Sequence, residues 1–150
     1  MPIFVNNTEI DDDAIFTEMQ YHSAENMEAA RNAAAQALVV RALMEEEARK
    51  QGLLTKDATE ELIDAALMKL VEKDVTAPSA TTEFCQTYYK QNKVRFAAKD
   101  APGQFVPFEQ VEEKIRDYLH TRSVREGIRG YVLNLADNAR IAGFDLAASL

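Results

Sequence analysis

The apolar positions of this chain are densest in residues 26–53, and their pattern predicts a central helix there. Within residues 33–44 the only polar side chains are Gln36 and Arg41, which lie on different sides of an α-helix. No single face is left for solvent, so we expect neighbouring segments to cover this helix on several sides. Gly52 is suited to the left-handed position of a Schellman motif that ends the helix.

Two short segments near the N-terminus, residues 3–5 and 8–10, flank Asn6 and Asn7. Asparagine tolerates a positive φ, so this pattern predicts a tight hairpin. Strands of this length are marginal without a third strand. The other extended apolar segment lies near the C-terminus, where the sequence indicates strand-like or irregular structure. We predict that Ile3–Val5 pairs with residues 140–146.

Three consecutive acids, Asp11 to Asp13, precede apolar residues at helical spacing. Carboxylates at the start of a helix cap its free amide groups and complement its dipole, and this explanation is favoured over a metal site. A calcium loop alternates its ligands with other residues, and this triplet does not. We therefore predict a short helix after Asp11 and no metal site.

Two further amphipathic helices are predicted after the central one. Thr55 or Asp57 is expected to cap the first of them, with Glu60 completing a capping box. Its apolar residues recur at helical spacing over residues 62–71, which indicates a broad face packed against a core.

The second of these helices is shorter, and Thr81 or Thr82 is expected to cap it. It ends near Asn92, and residues 93–96 are interpreted as extended or turn-like. Residues 97–107 contain two of the four prolines of the chain, which is typical of a seam between folded segments.

A single long helix is predicted after Pro107, because proline suits the first position of a helix. From Phe108 to about Asn138 there is no proline, and apolar residues recur at helical spacing. Gly127 and Gly130 mark the expected place of a kink. Together with the β segments near both termini, this pattern indicates a mainly α fold with a long C-terminal helix and a small β element.

Composition narrows the class of protein. The 150 residues are 47% hydrophobic and 28% charged, which is typical of one globular domain. No apolar run is long enough to cross a membrane and no secretory signal pattern begins the chain. The expected location is the cytoplasm, or the periplasm if a leader was removed, with no membrane partner. The net charge of −8 argues against a nucleic-acid partner, because phosphate binding needs a concentrated basic surface.

No combination of residues predicts catalysis or a cofactor. Cys85 is the only cysteine, and its apolar helix face indicates a core position rather than a nucleophile or a metal ligand. His22 and His120 are isolated and are interpreted as surface or interface residues. Four arginines of the long helix leave two interpretations open. They form either a binding site for an anionic partner or a solvated face paired with glutamates, and the second interpretation is favoured. They are Arg116, Arg122, Arg125 and Arg129.

The order of these segments resembles the chaperone region of parvulin-type peptidyl-prolyl isomerases, a family that includes SurA-like and NifM-like proteins. The matching stretches begin with FVNNTEI at the N-terminus and ALVVRALMEEEARKQGL in the central helix. They continue with TTEFCQTYYKQNKVRF before the seam, and with PFEQVEEKIRDYL and YVLNLADNARIAGFDL after it. The resemblance implies a single helical chaperone-type domain over residues 1–150, with the seam at 97–107.

Members of that family usually carry a parvulin domain, of ordinary domain size at about a hundred residues, between the positions of Phe96 and Phe108. Here eleven residues stand in its place. The catalytic histidines and the glycine-rich pocket of the family have no counterpart. The resemblance therefore implies a protein that is not an enzyme and has no catalytic residues.

The expected function is a non-catalytic chaperone or client-binding module, which holds exposed apolar segments of unfolded or partly folded polypeptides. A structural or oligomerisation module is the alternative, and a peptidyl-prolyl isomerase ranks third. The pattern favours a homodimer with exchanged C-terminal segments, because an exchanged terminus makes the same contacts as an unexchanged one. For each candidate client-binding residue, a plain core role is the stronger interpretation. The candidates are Phe16, Met19, Met68, Phe84, Tyr88, Tyr89, Tyr118 and Tyr131.

Overall fold

The computed structural model describes residues 2–150. It is mainly helical, with 64% of residues in helices and a small three-stranded antiparallel sheet, which confirms the predicted fold class. The helices are α1 (Asp12–Met19), α2 (Met27–Lys50), α3 (Glu60–Asp74), α4 (Thr82–Gln91), α5 (Phe108–Asp137) and α6 (Leu146–Ser149). The strands are β1 (Ile3–Val5), β2 (Thr8–Ile10) and β3 (Ile141–Ala142), and a 3-10 helix spans Lys93–Phe96.

These elements form two compact units. The first, which we call the terminal unit, comprises the chain through Val75 and again from Ile128 to Leu150. The second, which we call the middle unit, comprises Thr76–Gly127. The seam predicted at residues 97–107 lies inside the middle unit, whereas the expectation of a single domain stays a prediction.

The sheet of the terminal unit joins the two ends of the chain. Its strand order is β2-β1-β3, and both pairings are antiparallel. Asn6 has a φ of +53° in the turn between β1 and β2, as the hairpin prediction required. Phe4 pairs with Ala142, and the Asn6 backbone N–H donates to the Arg140 carbonyl oxygen at 2.7 Å. The predicted pairing of the first strand with the tail is confirmed, here within one chain.

The chain leaves β3 through Gly143, where the backbone approaches the other end of the chain closely. Gly143 has a φ of +86°, a region that side-chain-bearing residues adopt only with strain. A Cβ atom at this position would lie 2.7 Å from the Pro2 carbonyl oxygen. Both the dihedral angle and the lack of space therefore require glycine here.

The prediction of strand-like or irregular structure near the C-terminus is confirmed through Asp145, and the short helix that follows was not predicted. Extended structure ends at Ala142, and Leu146 begins α6. Asp145 Oδ1 accepts a hydrogen bond from the Ala148 N–H at 3.2 Å, which caps the new helix. Leu146 is only 3% exposed, so burial of its side chain holds this short helix against the core.

The central helix α2 lies at the middle of the terminal unit, as predicted. It contacts α1, α3, α6, β1 and β2. It ends in the predicted Schellman motif, in which the Gly52 N–H donates to the Arg49 carbonyl at 3.1 Å and the Leu53 N–H to the Ala48 carbonyl at 2.8 Å. The buried residues of α2 are Ala34, Ala35, Val39, Leu43, Met44 and Ala48.

The predicted cap of α3, at Thr55 or Asp57, is wrong at both positions. Thr59 caps the helix, with its Oγ1 accepting from the Leu62 N–H at 3.4 Å. The physical reason is the burial of Leu54, which is 8% exposed. The chain turns across the surface after this buried residue before a helix can start.

The glutamate of the predicted capping box has a different partner. Glu60 Oε2 accepts a hydrogen bond from Arg41 Nη2 at 2.8 Å, and Arg41 also pairs with Glu45 at 3.0 Å and with Asp64 at 3.1 Å. Burial acts to lower the pKa of Arg41, but these carboxylates outweigh it and raise that pKa above its ordinary value. The ion pairs explain how a guanidinium is accommodated on a helix that neighbours cover.

The middle unit is built around α4 and the first part of α5. Thr81 caps α4, as predicted, with its Oγ1 accepting from the Phe84 N–H at 3.1 Å. Cys85 is fully buried and packs with Ile115 and Leu119 of α5. The prediction that this cysteine is a core residue is confirmed.

The segment after α4 was predicted as extended or turn-like, and it is instead the 3-10 helix Lys93–Phe96. The reason is aromatic packing, because the tight turn brings the Phe96 ring to 5.0 Å from that of Tyr89. The seam that follows folds back on itself through a bridge between Ala97 and Phe105. These contacts make the seam part of the packed unit.

The long helix α5 begins directly after Pro107 and runs for 30 residues, which confirms the prediction of one long helix. It continues through Gly127 and Gly130 without interruption. Its residues belong to both units, with the division falling at Gly127.

Candidate functional site

An exposed apolar groove lies between α1 and the first turns of α2 in the terminal unit. It consists of two adjoining concavities of about 640 and 470 Å³, and both are lined by Phe16, Met19 and Met27. We call this feature the α1–α2 groove. Its volume is in the range of natural ligand sites, and its shared lining is apolar.

The local sequence explains why Phe16 and Met27 face solvent. Asp11 and Asn26 cap α1 and α2, each accepting a backbone N–H at 2.8 Å. Ile15 points into the core and is 2% exposed. Because consecutive residues of a helix are turned by about 100°, its neighbour Phe16 points away from the core. Phe16 and Met27 are both 71% exposed.

The charges that border the groove are mostly negative. Carboxylates of Asp12, Asp13 and Glu28 line one of its two concavities, together with a single guanidinium, that of Arg31. Arg31 Nη2 lies 3.1 Å from Asp12 Oδ1, so this cation is paired with one of the acids. The groove therefore presents apolar side chains inside a net negative border.

The eight candidate client-binding residues divide evenly between the two units. In the terminal unit, Phe16 and Met19 lie together in the α1–α2 groove. Met68 is 66% exposed on α3. Tyr131 is half-buried, and its hydroxyl donates to Asp74 Oδ2 at 2.8 Å.

In the middle unit, Phe84, Tyr88 and Tyr118 line a smaller concavity of about 200 Å³. Tyr89 packs in the core of this unit, and its hydroxyl donates to the Val106 carbonyl at 2.6 Å. Phe16 and Met19 are thus neighbours in the terminal unit, and Phe84, Tyr88 and Tyr118 are neighbours in the middle unit. Client binding by these eight residues stays a prediction.

Sequence reasoning missed Met27 and Arg95. Met27 is the first residue of α2, directly after the Asn26 cap. An apolar side chain in the first turn of a capped helix was a usable signal, because that turn usually faces solvent. Arg95 lies in the 3-10 helix, and no periodicity of the sequence indicated that this segment brings it to the tyrosines of the middle unit.

Glutamates pair with two of the four arginines of α5, in agreement with the favoured interpretation of a solvated face. Arg116 Nη2 lies 2.7 Å from Glu112 Oε2, and Arg116 also pairs with Glu113. Arg122 Nε lies 3.8 Å from Glu126 Oε1. The second pair is long and exposed, so it holds Arg122 only weakly.

Comparisons with protein-family models, with curated proteins and with solved structures found no match. Among residues 2–150, no helix is both long and apolar enough to cross a membrane. Within the same described range, no group of three or more His, Cys, Asp or Glu side chains is arranged to hold a metal ion. The resemblance to parvulin-type chaperone regions stays a prediction from the sequence.

Proposed function

We propose that the chain is a non-catalytic client-binding module, which captures exposed apolar segments of unfolded or partly folded polypeptides in the α1–α2 groove. The observation that carries this proposal is the exposure of Phe16 and Met27, which line two adjoining concavities together with the partly buried Met19. The resemblance of the sequence to the chaperone region of parvulin-type isomerases supports the same function.

The chemistry of the groove suits clients that differ in sequence. Methionine has a flexible and polarisable side chain, so Met19 and Met27 can adapt to partners of irregular shape. Burying a Phe16 or Met27 side chain under a client stabilises the complex by about 1.5–3 kcal/mol for each residue. Two such side chains give weak, reversible capture, which a holding chaperone requires.

We expect the protein to delay aggregation of an unfolded client at stoichiometric concentration, and the variants Phe16→Gln and Met27→Gln to weaken this effect. Each substitution removes an apolar contact and keeps a good helix former. The expected loss is about tenfold in apparent affinity, as follows from a contact of about 1.4 kcal/mol or more. Light scattering of the client during dilution from denaturant measures the effect.

Met68→Gln is the matched control for this experiment. Met68 is 66% exposed, close to the 71% of Met27, and it belongs to the same unit without lining the groove. The control variant should protect the client as well as the unchanged protein, and this result would remove Met68 from the candidate client-binding residues. Equal loss in Met27→Gln and Met68→Gln, or no protection beyond that of an inert acidic protein, would refute the groove as the client site.

The negative border of the groove predicts a preference among clients. Apolar peptides flanked by lysine or arginine should bind several-fold more tightly than the same peptides flanked by glutamate, because Asp13 and Glu28 attract the basic flanks. Salt at about 0.5 M should reduce this difference, since it screens exposed charges. Fluorescence anisotropy of labelled peptides measures both effects. Equal affinity for the basic-flanked and acidic-flanked peptides would contradict the electrostatic preference. It would not contradict binding of apolar segments in the groove.

The alternative proposal is a structural or oligomerisation module. The pairing of β1 with β3 favours it, because β3 lies near the end of the chain and could pair equally with β1 of a second copy. In that case the protein forms a homodimer with exchanged C-terminal segments. The stoichiometry of the purified protein, and its response to loss of the tail, distinguish this alternative from client binding.

A further inference from the structure

A second concavity, in the middle unit, has a chemistry unlike that of the α1–α2 groove. It has a volume of about 200 Å³ and is formed by α4, the residues after it and α5. We call it the tyrosine pocket. Its polar side chains belong to Thr87, Tyr88, Gln91, Asn92, Arg95, Tyr118 and Arg122.

Two guanidinium groups line this pocket beside two tyrosines, and one of them donates to a phenolic oxygen. Arg95 Nη1 donates to the Tyr88 hydroxyl at 3.2 Å. Hydrogen bonding to Arg122, followed by that to Tyr88 and Arg95, lowers the pKa of the Tyr118 hydroxyl below its ordinary value. The two tyrosine rings lie 5.5 Å apart between their centroids. Arg95 and Arg122 therefore line the same concavity as this pair of tyrosines.

Negative charge in this pocket is scarce. Among the described residues, no Asp or Glu lines it. Within residues 2–150, the only ion pair of Arg95 and Arg122 is the 3.8 Å contact of Arg122 with Glu126, whose side chain is 70% exposed. Such a pair contributes little and breaks easily. A chain with a net charge of −8 thus keeps two cations in one concavity with little compensation.

We propose that the tyrosine pocket binds a small oxyanion, a phosphoryl or carboxylate group, between the guanidinium groups of Arg95 and Arg122. A guanidinium has five N–H donors in a planar arrangement, so donors remain after the bonds to tyrosine. Charge-assisted bonds from arginine to phosphate or carboxylate are among the strongest that side chains make.

The size of the pocket fits this ligand class. A water molecule occupies about 30 Å³ in the liquid, so about 200 Å³ accommodates an oxyanion and a few atoms of the group that carries it. Phe84 also lines the pocket and is 57% exposed. Its ring is available for contact with an apolar or aromatic part of the ligand.

The test is a titration of the full-length ¹⁵N-labelled protein with inorganic phosphate and, separately, with acetate at constant ionic strength. NMR should show saturable shifts of the Arg95 and Arg122 Nε–Hε signals. The variants Arg95→Gln and Arg122→Gln should each weaken binding about tenfold, because each removes a charge-assisted interaction. Arg125→Gln is the control, since Arg125 lies on the same helix and does not line the pocket.

The two titrations also separate the two sources of oxyanion. Saturation by phosphate alone assigns the pocket to phosphoryl groups, and saturation by acetate alone assigns it to carboxylates. Absence of saturable shifts with both ions overturns the proposal, as does an equal loss of affinity in Arg125→Gln. Melting temperatures close to that of the unchanged protein exclude misfolding as the cause, because all three arginines are exposed.

Discussion

Removal of residues 140–150 is expected to destabilise the terminal unit by about 5 kcal/mol, comparable to the total stability of a small domain. The truncation removes β3 from the sheet and exposes the edge of β1. It also removes Leu146, which is 3% exposed, and loss of one such buried side chain costs about 2–5 kcal/mol. Thermal melting followed by circular dichroism measures the change.

Point variants distinguish the destabilisation caused by losing the buried Leu146 side chain from that caused by losing strand β3. Leu146→Ala should reproduce about half of the destabilisation, whereas Ala147→Ser, at an exposed neighbouring position, should leave the melting temperature nearly unchanged. A truncated protein that melts at the original temperature would contradict the role of the tail. Light scattering after size exclusion tests the proposed exchange, because an exchanged dimer should become monomeric on truncation.

Gly143→Ala is expected to destabilise the protein by about 3–4 kcal/mol, the larger of two glycine effects in the same unit. A side chain at positive φ costs about 1–2 kcal/mol, and forcing an atom into a filled space adds about 1–3 kcal/mol. The added Cβ would lie 2.7 Å from the Pro2 carbonyl oxygen. Urea denaturation measures the free energy of unfolding.

Gly52→Ala is the matched control for that prediction. Gly52 has a φ of +77°, close to the +86° of Gly143, but no atom lies within 4 Å of its added Cβ. The free energy of unfolding of this variant should therefore fall only by the cost of a side chain at positive φ, about 1–2 kcal/mol. Equal losses in the two variants would mean that the backbone at Pro2 moves aside at little cost.

Local signals in the sequence were sufficient for much of the fold. The cap at Asp11, the positive φ of Asn6 and the helix end at Gly52 each depend on the local backbone, so these roles could be predicted. The pairing of the two termini followed from a different argument, namely that strands of three residues need a third partner. The cap, the turn and the helix end are thus local features, whereas the pairing of the termini is a long-range contact.

The errors arose where a distant contact decided the local structure. α3 starts after Thr59 rather than after Thr55 because Leu54 is buried against the core, and the sequence does not show which leucine the core accommodates. The 3-10 helix at residues 93–96 forms where Phe96 packs on Tyr89. Neither outcome can be deduced from helical or strand periodicity.

The candidate sites were predictable only in part for a related reason. Phe16 and Met19 were named as candidate client-binding residues, and both belong to one short helix, α1. Met27 completes the groove from α2, and Arg95 completes the tyrosine pocket from outside the long helix. Periodicity describes one element at a time, whereas each of these sites is formed where two elements meet.

The hydrogen bond between Arg140 and Asn6 joins residues 134 positions apart, which has a consequence for the order of folding. Closing a flexible loop of that length costs about 4 kcal/mol in chain entropy. Contacts between residues so far apart in sequence are therefore expected to form late in folding. On the ribosome, β1 can pair with β3 only after residues 141–142 have emerged. The α1–α2 groove, in contrast, is formed by neighbouring helices near the N-terminus. It is therefore expected to be complete, and open to other chains, while the protein that carries it is still being synthesised.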